Sequence, residues 1–296
     1  MLGPKVNSRG LSARQLAKFD PKRLAARFPG KRAFISGAAA GQGRDFAAIL
    51  AAQGWILGLN DTAASGLADT AAAATALGGI VQSYVFDVAD APAFQAAADD
   101  FLLRHGGVDL VINNAGIGSG GYFEDFSLEN WREVVDVNLL GVVHGCKAFL
   151  PALLRQRSGV LLNIASAASF HGLPMISAYN ATKAAVMALS ETLFTELEGS
   201  GAGVAIQICT MFKSDFAVNF RGNLVDQAVV QKMVDGAPIT SHDAAVYTLD
   251  RLSHGEFYIV IPTDAHILWR IKRLSPTLYL KVKRKIAARI GTLRPR

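Results

Sequence analysis

A chain of 296 residues with a mean hydropathy of +0.26 is large for one folding unit, yet a sheet wrapped by helices on both faces reaches this size as a single domain. Its apolar residues come in short runs of Ala, Leu, Val and Ile, none of them long enough to cross a bilayer. Two cysteines, Cys146 and Cys209, offer neither a disulfide framework nor a metal-ligand spacing, which suits a reducing cytoplasm.

The net charge of +6 is unevenly divided: residues 1–32 hold nine Lys or Arg against Asp20, residues 265–296 hold ten and no acid, and residues 33–265 hold 11 against 23 Asp or Glu. Such tails suit the acidic body itself, a neighbouring subunit or an anionic membrane surface; without a recognisable module, nucleic acid is not an expected partner. The N-terminus lacks the apolar core of a secretory signal, although it is Arg-rich and acid-poor like an organelle transit peptide. Asp20-Pro21 reads as an N-cap followed by proline at the first helical position, and predicts a short helix over 21–28.

Beyond Lys31, β-rich runs alternate with longer Ala/Leu-rich segments. Strands are expected over 33–36, 56–60, 82–87, 110–113, 160–165, 204–209 and 257–261, with helices beginning near Gly43, Thr62, Ala91, Leu128, Ile176 and His242. This alternation predicts an α/β fold, a doubly wound parallel sheet of about seven strands with helices on both faces.

The first strand ends in Ser36-Gly37-Ala38-Ala39-Ala40-Gly41-Gln42-Gly43. Glycines at these positions allow a tight turn and close approach of a pyrophosphate to the N-terminus of the following helix. Asp61 follows the second strand, where a carboxylate hydrogen-bonds adenosine ribose hydroxyls and repels a 2′-phosphate, so NAD is favoured over NADP. Arg44 is the one nearby cation, and Asp61 can equally cap the next helix. Tyr179 and Lys183 share a helix face four residues apart, and a nearby ammonium lowers a phenol pKa. That pair arises readily by chance; its weight comes from Ser166, which closes a strand thirteen residues earlier.

Taken in order, these strings resemble the short-chain dehydrogenase/reductase family over roughly residues 31–262. Ser36 to Gly43 resembles the family's Thr-Gly-x-x-x-Gly-x-Gly, with Ser for Thr and an unusual Gln42. Asp87 and Val88 resemble its adenine-contacting pair, Asn113-Asn114-Ala115-Gly116 its Asn-Asn-Ala-Gly, and Asn138 the fourth member of its catalytic tetrad. The resemblance implies a Rossmann-like domain over 31–262, flanked by a basic extension (1–30) and a basic amphipathic extension (263–296). It implies Tyr179 as general acid or base, Lys183 lowering the phenol pKa and holding the nicotinamide ribose, Ser166 bonding the substrate oxygen, and Asn138 positioning a water. Cofactor contacts would come from Gly37, Gly41, Gln42, Gly43, Asp61, Asp87, Val88, Asn114, Ala115, Gly116, Tyr179, Lys183, Phe212 and Ser214, with no metal; the family often forms homodimers or homotetramers.

One departure stands out. Where the family has Pro-Gly and then Thr after strand six, this chain has Cys209-Thr210 and then Ser214, which keeps the hydroxyl and changes the turn residues. The segment 215–238 occupies the place of the family's substrate lid and carries Phe216, Val218, Phe220, Leu224, Val229, Val230 and Met233, which favours an apolar alcohol or ketone, or equally ordinary helix packing. His171 and Met175 are further pocket candidates. Two apolar stripes follow, Ile267, Leu268, Ile271, Leu274 and then Leu278, Val282, Ile286, Ile290, with Lys and Arg on the other faces, as in helices that lie on a membrane or cover a subunit. An NAD-dependent alcohol dehydrogenase or ketone reductase is the expected activity, in the cytoplasm or peripheral at a membrane. An NADP-dependent carbonyl reductase, a sugar-nucleotide epimerase or dehydratase, and a non-catalytic dinucleotide sensor are the alternatives; the glycine spacing speaks against the epimerase.

Overall fold

The computed structural model describes residues 19–213, 220–222, 234–261 and 263–289. The first described element, α1 (Pro21–Arg27), starts where Asp20 accepts a 2.9 Å bond from the Lys22 N–H and Pro21 fills the first turn. Leu24 and Phe28, at this end of the chain, are buried in the core, Phe28 edge-on to Trp55 at 6.0 Å.

The described strands are β1 (Arg32–Ser36), β2 (Ile56–Asp61), β3 (Ile80–Val85), β4 (Leu110–Asn113), β5 (Gly118–Ser119), β6 (Val160–Ile164), β7 (Gly203–Cys209), β8 (Phe220–Arg221) and β9 (Tyr258–Ile261). Seven of them pair in parallel in the order β3-β2-β1-β4-β6-β7-β9, while β5 and β8 form a separate parallel pair. The helices are α2 (Gly41–Ala51), α3 (Ala64–Ala76), α4 (Ala91–His105), α5 (Leu128–Val135), α6 (Gly141–Gln156), α7 (Ala168–His171), α8 (Ser177–Glu196), α9 (Ser241–Ser253), α10 (Thr263–Leu274) and α11 (Pro276–Arg289). Local chemistry sets their ends: Asp90 caps α4 and Gly106 closes it in the left-handed region, while Thr240 and Asp243 form a reciprocal capping box at the start of α9.

Each sheet face carries its own core. On one side Phe46, Leu50, Leu57, Leu59, Leu67 and Leu249 bring α2, α3 and α9 onto the sheet; on the other, Phe34, Phe94, Phe101, Phe149 and Val186 join α4, α6 and α8 to it. The second core centres on Phe34, whose ring lies 4.9 Å from Phe149 and 5.8 Å from Phe101.

Two expectations need correction. The third strand runs over Ile80–Val85 rather than 82–87, because it is the sheet edge: its limits follow from pairing of Ile56 with Ile80 and Asp61 with Val85, while Ile80 and Val85 face solvent and blur the apolar pattern. The apolar runs are also less fragmented than they read. Helix α5, a π-helical turn at Asp136–Leu140 and α6 are continuous over Leu128–Gln156, a helix long and apolar enough by length and composition to cross a membrane. Half of its most apolar stretch is buried, and Val142, Phe149 and Leu153 pack into the core, which accounts for that apolarity without a bilayer.

Candidate active site

Strand order reverses between β1 and β4, which opens a crevice at the carboxyl ends of these strands. The glycine turn lines it. Gly37 has φ +67°, and a Cβ on Gly43 would lie 2.0 Å from the Gly37 carbonyl oxygen, so α2 approaches the turn as closely as it does only because that position is glycine. Gly41 also lies in the left-handed region. The N-cap of α2, Ala40, offers no side-chain cap, leaving first-turn N–H groups available to an anion. Opposite, Asn114 donates to the Ser36 and Gly37 carbonyls at 3.0 Å each, and Ser36 Oγ accepts the Asn114 and Ala115 N–H groups at 3.1 Å. Ser in place of the family's Thr therefore still ties β1 to the loop after β4.

Asp61 ends β2 with its carboxylate divided between two backbone groups, Oδ2 accepting from Ala39 N–H at 2.9 Å and Oδ1 from Ala63 N–H at 3.0 Å. It thus caps the approach to α3 and also faces the glycine turn. Asp87 accepts from the Ala89 N–H and stays exposed, whereas Val88 is buried and its carbonyl is 2.8 Å from His144 Nδ1. Gln42 is 95% buried rather than facing the crevice freely, and its Oε1 accepts from Gln207 Nε2 at 3.3 Å across from β7.

Ser166, Tyr179 and Lys183 converge at the end of β6. Ser166 Oγ donates weakly to the Cys209 carbonyl at 3.4 Å and accepts the Ala168 N–H at 3.1 Å, and it also bonds the Tyr179 phenol. Burial pushes that phenol up to about 12; the bond with Ser166 pulls the other way and the neighbouring Cys209 thiol adds to the rise. Lys183 lies one helical turn on, its Nζ 5.7 Å from the centre of the Tyr179 ring and 2.9 Å from the Ile164 carbonyl oxygen, and burial lowers its pKa to about 8. Asn138, in the π-helical turn, is fully buried and clasps Ile117, accepting its N–H at 2.8 Å and donating to its carbonyl at 2.9 Å. A Cβ on Gly116 would stand 3.2 Å from Asn138 Oδ1 and 3.5 Å from Lys183 Nζ, so the three residues share one corner.

Three supporting side chains were not singled out from the sequence. Ser119 Oγ accepts the Tyr179 N–H at 3.1 Å and seats the first turn of α8. Asn163 accepts from Asn113 at 2.8 Å and donates to Ser190 at 3.0 Å, a buried chain that joins β4, β6 and α8. An asparagine in the middle of an otherwise apolar, wholly buried strand was the available signal for it.

After β7 the chain stays attached to its neighbours: Thr210 N–H donates to Ile261 at 2.9 Å and Lys213 N–H to Ile239 at 2.9 Å, with Phe212 half-buried against the core. Among described residues the non-glycines in the left-handed region are Lys31, Arg157 and Met175, so the backbone at Thr210 makes no demand for glycine. Ser214 lies outside the described residues, as do Phe216, Val218, Leu224, Val229, Val230, Met233 and Ile290. Phe220 is in β8 beside Gly118, and His171 is engaged by Tyr279, whose hydroxyl is 2.7 Å from its Nδ1. Met175, at φ +65°, gives its carbonyl to the Gly121 N–H at 2.7 Å.

The family model described as short chain dehydrogenase matches residues 31–224. Probable oxidoreductase EphD of Mycobacterium tuberculosis is 41% identical over 171 residues, a stretch covering 57% of this chain and 29% of EphD, so the chain spans under a third of that relative's length. The 3-oxoacyl-[acyl-carrier-protein] reductase FabG of Thermotoga maritima is 31% identical over 173 residues, 58% of this chain and 70% of FabG. Among solved structures, a short chain dehydrogenase/reductase from Burkholderia phymatum in complex with NAD superposes with a TM-score of 0.78 at 31% identity, covering 85% of this chain and 96% of its own. With the matched model spanning well over half of the sequence, the chain belongs to the short chain dehydrogenase family, and its Rossmann-like sheet matches that of a solved member.

Proposed function

We propose that the protein is an NAD-dependent alcohol dehydrogenase or ketone reductase for an apolar substrate, with Tyr179 as general acid and base. The observation that carries this reading is the convergence of Ser166, Tyr179 and Lys183 beside the crevice lined by the glycine turn. The residues of that crevice suit a dinucleotide: the uncapped first turn of α2 meets the pyrophosphate, Gly37, Gly41, Gly43 and Asn114 to Gly116 border it, and Val88 with Asp87 lies toward the adenine. Asp61 meets the ribose hydroxyls and its charge disfavours a 2′-phosphate, and the Burkholderia phymatum neighbour carries NAD.

When bound, the nicotinamide supplies or accepts the hydride. Tyr179 gives its phenol proton to the substrate oxygen in reduction and takes it back in oxidation. Ser166 shares that oxygen, and its bond to the phenol keeps the two hydroxyls on one target. Lys183, its Nζ 5.7 Å from the centre of the phenol ring, holds a ribose hydroxyl, while Asn138 fixes the Ile117 backbone that frames this corner. Burial keeps the phenol protonated, so that it holds the proton that reduction needs.

Tyr179→Phe tests the reading: turnover of apolar secondary alcohols in an NADH-fluorescence screen should vanish while NAD still binds. Robust turnover with NADP alone would overturn the role given to Asp61, and undiminished turnover in the Phe variant would overturn that given to Tyr179.

A further inference from the structure

Helices α10 and α11 are joined to the substrate side of the molecule. Lys272 Nζ donates to the Phe170 carbonyl at 2.6 Å, Tyr279 meets His171 at 2.7 Å, and Lys283 Nζ donates to the carbonyls of His171 and Gly172. Ala265 is buried, and Trp269 packs its ring 4.8 Å from Tyr258. Residues 265, 269 and 272 therefore face the protein.

The opposite side of α10 is apolar. Ile267, Ile271 and Leu274 are spaced by four and three residues, which puts them in one line on the helix, and all are exposed, Leu274 to 86%. On α11 Leu278 and Val282, four apart, are exposed beside the docked line of Tyr279 and Lys283. Cations flank these stripes: Arg270, Lys281 and Arg284 are exposed, and α10 and α11 together contain eight Lys or Arg against Asp264 alone. Apolar side chains turned to solvent would be a liability in a polar setting, and the strong net positive charge specifies the sign of what covers them.

We propose that α10 and α11 form a docking surface for an anionic phospholipid bilayer. The lines Ile267-Ile271-Leu274 and Leu278-Val282 enter the acyl boundary, and the flanking Arg and Lys reach the phosphate headgroups, with their stems along the apolar layer. Because the same helices hold Phe170, His171 and Gly172 with their protein-facing side, the bilayer-facing lines lie one helix thickness from the segment between Ser166 and Tyr179. An apolar substrate dissolved in the bilayer then has a short path to the site, a corollary that rests on the proposed dehydrogenase reading.

The test is co-sedimentation of the full chain with phosphatidylcholine vesicles with and without phosphatidylglycerol. It needs no turnover, so its result is independent of the enzymatic assignment. Binding only to the phosphatidylglycerol vesicles, released by high salt, is expected. The double variant Ile271→Asp with Leu274→Asp and the triple variant Arg270→Glu, Lys281→Glu, Arg284→Glu should each bind about tenfold or more weakly. All these side chains face away from the fold, and thermal unfolding checks that the variants remain folded. The salt titration on the unaltered chain reads the same property without any variant. Failure of that chain to sediment with anionic vesicles, equal binding to neutral ones, or full retention in both variants would overturn the proposal. So would a solution dimer that Ile271→Asp with Leu274→Asp splits into monomers with no vesicle binding at any stage, which would assign the face to a second copy of the chain.

Discussion

Lys183 belongs to α8, yet its ammonium is anchored to Ile164 at the end of β6 by a 2.9 Å bond to the carbonyl oxygen. One buried charge therefore joins the helix that bears Tyr179 to the strand that presents Ser166. Its neighbourhood offers little solvent, which is why burial brings its pKa from 10.5 to about 8.

That shift makes stability depend on pH. Between about 8 and 10.5 the unfolded chain holds the Lys183 proton and the folded chain has released it, so folding gains stability as pH rises through this window. The burial cost, roughly 3 kcal/mol, is fully present below the folded pKa and is relieved above the unfolded one. Lys183→Met should flatten this rise, and parallel denaturant titrations of the two proteins across the window would show it. Identical pH profiles would mean that Lys183 titrates normally.

Gly43→Ala puts a methyl group against the Gly37 carbonyl, 2.0 Å away, and neither backbone can withdraw without opening the turn. The dissociation constant for NAD should rise about a hundredfold, measured by calorimetry, with far-UV circular dichroism little changed.

Asp61→Asn removes the charge while keeping an oxygen for one of the two N–H groups that the carboxylate now accepts. The ratio of NADP to NAD turnover should increase about tenfold, because the repulsion of a 2′-phosphate is lost. An unchanged ratio would show that specificity is decided elsewhere.

Asn163→Leu leaves the Asn113 amide with only the weak Cys146 sulfur acceptor and Ser190 without its donor, both in the dry interior. A loss of about 2 kcal/mol is expected, seen as a lower thermal midpoint by roughly 5 °C.

Much of this architecture was legible beforehand, and the limits of that legibility are physical. Strand 110–113 and the helix start at Ala91 coincide with the structure because a buried apolar run and an Asp-x-Pro cap each act locally. The edge strand was misplaced because its apolar residues face water, where pairing with β2 rather than burial sets the ends. Ser166, Tyr179 and Lys183 could be proposed together because they lie on adjoining elements of a known order. The Asn113-Asn163-Ser190 chain could not, since three polar residues separated by 50 and 27 positions meet only after the sheet has formed. Asn138 shows the same limit from another side: its partner is a loop backbone, to which no sequence pattern points.

The π-helical turn at Asp136–Leu140 gives the long helix two phases. Gly141 N–H reaches back five residues to Asp136, so everything after it is rotated relative to an uninterrupted α-helix by about one residue's angle, 100°. Upstream of that offset, Val134 is buried in a small cluster with Ile117 and Ala178; within it, Asn138 grips Ile117; downstream, His144 meets Val88. The extra residue thus works like a vernier between two scales, letting one rod engage the Ile117 backbone and the Val88 carbonyl at angles that regular winding would not reconcile. Shortening the turn by one residue would keep the helix and lose the alignment.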